Sequence, residues 1–231
     1  MNQQTTRLFR AFSLIVFVFL SAALSAQEIL TAERFFNTVS DAYGEVDDYE
    51  ALITINHGDT TMEGVCYYKS PNLLRINFTE PKDQTIVVDG EKMSLYLPRQ
   101  NVVLRQQLKR HSQVALASMA SSQGLALLKR GYSIAFLDGP DPVPLDEGSD
   151  LLVRNLNLHW RSTDEGFRQI IISVDEDLRI RRMKGITADY ESFQFDFNAV
   201  DVNQGIPDAR FQYDEPASAY VIENFLFEPE E

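Results

Sequence analysis

Residues 49–108 are cut by turn-forming residues into pieces of strand length, and no other feature of this chain restricts its fold so strongly. Segments 49–57 and 62–69 flank Gly58-Asp59. Pro71-Asn72 leads into 73–78, Pro81 into 84–89, Asp89-Gly90 into 92–97, and Pro98-Arg99-Gln100-Asn101 into 102–107. Short strands at this regular spacing, punctuated by Gly, Pro and Asp-Gly, predict an antiparallel sheet or barrel.

Helical periodicity appears in two places. Phe35, Phe36, Val39, Ala42 and Tyr43 recur at helical spacing behind Thr31, a good N-cap, with Glu33 in the first turn and Gly44 as the stop. Residues 112–130 are helical again, Ser112 serving as a cap. Gly124 divides them, so two short helices are expected. The Pro-, Gly- and acid-rich stretch 138–150 reads as a surface loop. Four more strands are predicted at 151–161, 167–175, 178–186 and 190–202, and short closing strands at 209–213 and 220–227. No internal repeat or interdomain linker interrupts this order, so residues 27–231 are expected to form a single domain of mainly β, α+β character.

Residues 1–26 are set apart from that domain. Arg7 and Arg10 precede an apolar run and then the small-residue stretch Ser21-Ala22-Ala23-Leu24-Ser25-Ala26, the three-part pattern of a secretory signal peptide cleaved after Ala26. The charge-free stretch 11–26 falls short of the roughly 20 residues that span a bilayer. Cleavage takes the 231-residue chain of net charge −13 to 205 residues and −15, because both lost charges are arginines. Such an acid excess argues against nucleic acid as a partner, since phosphate binding needs a basic surface. The single cysteine, Cys66, excludes an intramolecular disulfide. A core of this size does not need one in an oxidising compartment. The expectation is an exported protein without cofactor.

The sequence carries no catalytic or metal-binding constellation. His57, His111 and His159 are not at ligand spacing, no HExxH, CxxC or GxSxG motif occurs, and the acids of 138–146 lack the order of a calcium loop. Neither a catalytic nor a metal site is expected. An apolar face is what remains. Alternation puts Leu74, Ile76 and Phe78 on one side of their strand, opposite Leu73, Arg75 and Asn77, and Ile86 with Val88 and Met93 with Leu95 extend that side. Such a face either packs under helices as an ordinary core or stays loosely covered as a cavity for an acyl chain.

Residues 64–98 resemble the outer-membrane lipoprotein carrier protein (LolA) family. The frame is Gly64, Lys69-x-Pro71-Asn72-Leu73, Pro81, Asp89-Gly90 and Tyr96-x-Pro98, and Phe211-x-Tyr213-x-x-Pro216 with Val221 is similar to the family's closing strands. The resemblance implies an incomplete antiparallel β-barrel around a hydrophobic cavity with an α-helical lid. It also implies a periplasmic, non-enzymatic, monomeric carrier of acylated lipoproteins. The donor would be an inner-membrane lipoprotein-release ABC transporter, and the receiver an outer-membrane acceptor. Leu74, Ile76 and Ile86 match cavity positions of the family. Phe78, Val88, Met93 and Leu95 join them by alternation, and Met119, Leu125 and Leu128 join from the lid by helical periodicity. Where family members carry an arginine that latches the lid, this chain has Ser70, which implies a weaker latch; Arg75 has the wrong parity to replace it. The same fold also carries glycolipids or senses envelope stress in other settings, so carriage or sensing of other acylated envelope lipids is the alternative.

Overall fold

Thr31 caps the first helix as its position predicts: its hydroxyl accepts from the Arg34 amide at 3.2 Å, opening α1 (Ala32–Gly44). Gly44 is the last helical residue, and the Glu45 amide closes the turn on the Ala42 carbonyl. Phe35, Phe36, Val39 and Tyr43 form the buried stripe of α1. The computed structural model describes residues 30–108, 120–163 and 165–225. The signal-peptide reading, the first of the two helices expected in 112–130, His111 and Met119 lie outside the described residues.

Six strands follow α1: β1 (Asp48–His57), β2 (Thr60–Lys69), β3 (Leu73–Glu80), β4 (Thr85–Asp89), β5 (Lys92–Leu97) and β6 (Val102–Gln107). They pair antiparallel, each with the next. The turns work as their residues predict. The Asp89 carboxylate accepts from the amides of Glu91 and Lys92, while Gly90 takes a φ of +96° between β4 and β5. After β6 come α2 (Ser122–Gly131), β7 (Tyr132–Phe136), β8 (Val143–Pro144), β9 (Leu152–Trp160), β10 (Phe167–Asp175), β11 (Ile180–Thr187) and β12 (Ser192–Val202). A 3₁₀ turn at Asp208–Phe211 and β13 (Tyr220–Glu223) follow. Among the described residues one open sheet of thirteen strands results, in the order β13-β6-β5-β4-β3-β2-β1-β12-β11-β10-β9-β7, with β8 beside β9. Its first and last strands do not meet. The mainly β class and the unclosed barrel are therefore both as expected.

Five details differ from the sequence reading. Gly124 does not separate two helices; it lies inside α2, where its amide donates to the N-cap hydroxyl of Ser121 at 3.0 Å. Strand β7 has no counterpart among the expected strands, because it follows α2 with no breaker beyond Gly131. The loop 138–150 contains the two-residue strand β8. Residues 209–213 are not a strand: the 3₁₀ turn occupies Asp208–Phe211, entered from Pro207 at φ −71°. The final strand stops at Glu223 and runs parallel to β6, the one parallel pair among the described residues.

Candidate functional site

The two faces of the sheet are told apart by following cross-strand partners, which share a side. Leu74 pairs with Val88 and Val88 with Met93; Ile76 pairs with Ile86, Ile86 with Leu95 and Leu95 with Leu104. In the other direction Tyr68 pairs with Tyr49, Cys66 with Ala51 and Cys66 with Ile76. Gly64 pairs with Ile53 and Phe78, and Ile53 with Phe197. The same side continues through Phe195, Met183, Ile172, Leu156 and Phe136 to β7. This is the inner face, because the helices lie on it. The Phe35 ring of α1 is 6.0 Å from that of Phe136, and the Tyr43 hydroxyl accepts from the Ile180 amide at 3.0 Å.

The structure brings seven of the predicted residues, Leu74, Ile76, Phe78, Ile86, Val88, Met93 and Leu95, onto this one face. Leu125 and Leu128 are on the buried side of α2. Their environments differ. Leu74, Ile76, Phe78, Met93, Leu125 and Leu128 are buried, whereas Ile86, Val88 and Leu95 are half-buried. Sequence reasoning missed Leu97, Val102 and Leu104, which continue the half-buried surface. Parity with Met93 and Leu95 points to Leu97, whereas Val102-Val103-Leu104 is apolar throughout and offers no alternation from which to choose a face. Val87 and Val103 point to the outer face and are nevertheless buried; the 3₁₀ turn lies against β4 on that side, and Glu215 beyond it is held by Arg105 of β6.

The inner face is thus filled unevenly. Under α1 and α2 it is sealed by Phe36, Ile53, Leu156, Leu158, Ile170 and Ile172, all buried. Toward β4–β6 Met93 and Gln106 are still buried on this face, while Ile86, Val88, Leu95, Leu97, Val102 and Leu104 remain half-covered. Between the two regions runs a row of polar groups. The Tyr49 and Tyr68 rings stack at 5.1 Å, and the buried Tyr49 hydroxyl has no oxygen or nitrogen partner and lies against the Cys66 sulfur. Burial raises the Cys66 thiol to about 12 and pushes Tyr49 well above its usual range, so both stay neutral. The Tyr68 hydroxyl donates to the Pro71 carbonyl at 3.2 Å and lies within reach of the hydroxyls of Ser70 and Ser121. The Ser70 corner is therefore linked to the N-cap of α2 through a tyrosine. Arg75, on the outer face as its parity predicts, donates to the carbonyls of Arg210 and Gln212 instead, at 3.1 and 3.0 Å.

Such a surface offers shape and apolarity. His57 stacks on Phe193 at 4.0 Å, and among the described residues no three His, Cys, Asp or Glu side chains form a metal-binding group. No described helix is long and apolar enough to cross a membrane.

Comparison with known proteins agrees with this geometry. The chain is 28% identical over 173 residues to an outer-membrane lipoprotein carrier protein of Leptothrix cholodnii, covering 71% of this chain and 70% of that one. To the protein of the same description from Albidiferax ferrireducens it is 25% identical over 163 residues, covering 70% and 73%. In fold it is similar to an uncharacterized conserved protein of Thermus thermophilus, with a TM-score of 0.52 at 12% identity over 83% of this chain and 98% of that one. It is also similar in fold to MucB, with a TM-score of 0.52 at 11% identity over 83% and 65%. The family described as outer membrane lipoprotein carrier protein LolA matches residues 55–214, from the end of β1 to beyond the 3₁₀ turn, and the chain belongs to that family.

Proposed function

We propose that this protein is a periplasmic carrier that takes up the acyl chains of lipoproteins released from the inner membrane and delivers them to the outer membrane. What supports the reading, beyond family membership, is the uneven filling of the inner face. Ile86, Val88, Leu95, Leu97, Val102 and Leu104 form a contiguous apolar surface that is only half-covered, beside a region packed to completion. A packed core has no room for a ligand, whereas a half-covered apolar face does. The energetic need is large. Each buried methylene is worth about 0.8 kcal/mol, so one acyl chain exposed to water costs on the order of 10 kcal/mol. The face supplies burial without chemistry, so release needs no bond to break.

A photo-crosslinking residue at position 86, in cells, tests this directly. Acylated lipoproteins should appear as adducts, and Ile86→Glu should abolish capture, because a carboxylate on this face stays charged only at a large desolvation cost. Adducts with glycolipids alone would replace this reading by carriage of another acylated envelope lipid. Undiminished capture by the glutamate variant would remove Ile86 from the binding face.

A further inference from the structure

The half-covered surface does not stop at β6. In the parallel β6–β13 pair Tyr220 aligns with Val102 and Ile222 with Leu104, so both side chains continue the inner face past the last strand of the meander. The opposite parity is fixed independently. Glu223 and Arg105, partners on the outer side, form an ion pair, and Arg105 also holds both carboxylate oxygens of Glu215, at 2.7 and 2.6 Å. Along the row that starts at Ile76 coverage of the inner face falls in this direction, whereas in the neighbouring row Met93 and Gln106 stay buried. Ile76 on β3 is buried, and Ile86, Leu95 and Leu104 on β4, β5 and β6 are half-buried. On β13 Ile222 is 39% and Tyr220 70% exposed. The other end of the sheet is the reverse: α1 and α2 lie against β7, and Phe35 covers Phe136.

Resting on the carrier reading above, we propose that acyl chains enter and leave the inner face across the β6–β13 edge, with Tyr220 and Ile222 as the sill of that opening. The occupant is an alkyl chain because the path is apolar and continuous with the face proposed to hold it. No polar group of β4, β5 or β6 on this path interrupts the line Ile86–Leu95–Leu104–Ile222. A tyrosine suits the outermost place, since its ring shelters methylenes while its hydroxyl stays in water. The sill lowers the barrier to transfer and adds little to the bound state.

The test is stopped-flow binding of a fluorescent triacylated cysteine lipopeptide to the full chain. With Tyr220→Asp and Ile222→Asp together, association and dissociation should both slow by about tenfold, the effect on a barrier of losing shelter for about two methylene groups. The dissociation constant should change by no more than about twofold, because a gate acts on both rates alike. The uncharged pair Tyr220→Ser and Ile222→Ser should move both rates the same way by less, which separates the gate from any detachment of β13. Leu52, 52% exposed on the outer face, serves as control; Leu52→Asp should leave both rates alone. Wild-type rates in both sill variants would overturn the proposal. So would faster dissociation at unchanged association, which would place these residues in the seat itself, or equal slowing by Leu52→Asp. Failure of the wild-type chain to bind the lipopeptide at all would overturn the carrier reading and the sill with it.

Discussion

Gly64 shows what a single position contributes to this sheet. It lies on β2 at a register shift, where β2 and β3 approach closely: a Cβ built there would be 2.5 Å from the Asn77 carbonyl oxygen and 3.0 Å from the Phe78 Cα. Both obstacles are backbone, so neither can rotate away. Gly64→Ala should therefore force the strands apart and destabilise the fold by about 1–3 kcal/mol, several degrees in Tm for a chain of this size. A thermal melt checks it, and an unchanged Tm would mean that the strands yield freely. Other residues of the matched frame have equally local reasons. Asn72 Nδ2 donates to the Gly90 carbonyl at 3.2 Å, joining two turns, and Lys69 Nζ donates to the Ile206 carbonyl at 2.8 Å.

Among the elements, the C-terminal segment gives the sheet its asymmetry. After β12 the chain crosses the outer side of β3 and β4 with its 3₁₀ turn, buries Ile206 and Phe211, and returns as β13. Polar clasps hold it: the Asp48 carboxylate accepts from the Gln204 and Ile206 amides, Asn101 Nδ2 donates to the Ser218 carbonyl, and Arg105 binds Glu215 and Glu223. A parallel pair of four residues is weak by itself, so Arg105 should matter to it. Arg105→Gln is expected to cost about 1 kcal/mol, the scale of a partly exposed bidentate pair. It should also accelerate amide exchange in β13 while β1 and β2 keep their protection; unchanged exchange in β13 would show that its backbone pairing suffices. The sequence made the antiparallel meander legible, because Pro, Gly and Asp-Gly mark every corner by local backbone preference. It also made the face of Leu74, Ile76, Ile86 and Leu95 legible, because alternation is local too. The parallel return of β13 was not legible, since that pairing joins Tyr220 to Val102 across more than a hundred residues with no spacing rule. Nor was the burial of Val87 and Val103, which depends on what the C-terminal segment covers.

Over the whole molecule, charge and burial are arranged separately, and each has a consequence. From Asp189 onward the sequence has eleven acids and one base, Arg210. Several of those acids neutralise strands rather than forming a free acidic pole: Asp208 pairs with Lys69, Asp196 with Arg182, and Glu215 and Glu223 with Arg105. The interior, in contrast, holds neutral acids. Burial raises Cys66 from 9.0 to about 12, and Tyr43 and Tyr132 from 10.0 to about 12. The fold keeps those protons to higher pH than the unfolded chain does. Above pH 9 the unfolded state therefore binds fewer protons than the native state, and stability falls as pH rises. The contribution of these groups is complete below their unfolded values and is lost progressively between pH 9 and about 12. Tm should decline across that window, beginning with the thiol. Cys66→Ala should delay the onset from pH 9 to about 10, where the tyrosines take over, although its small cavity lowers Tm at every pH. An onset that stays at pH 9 in the variant would mean that another group sets it and that the raised Cys66 thiol is not the first to act.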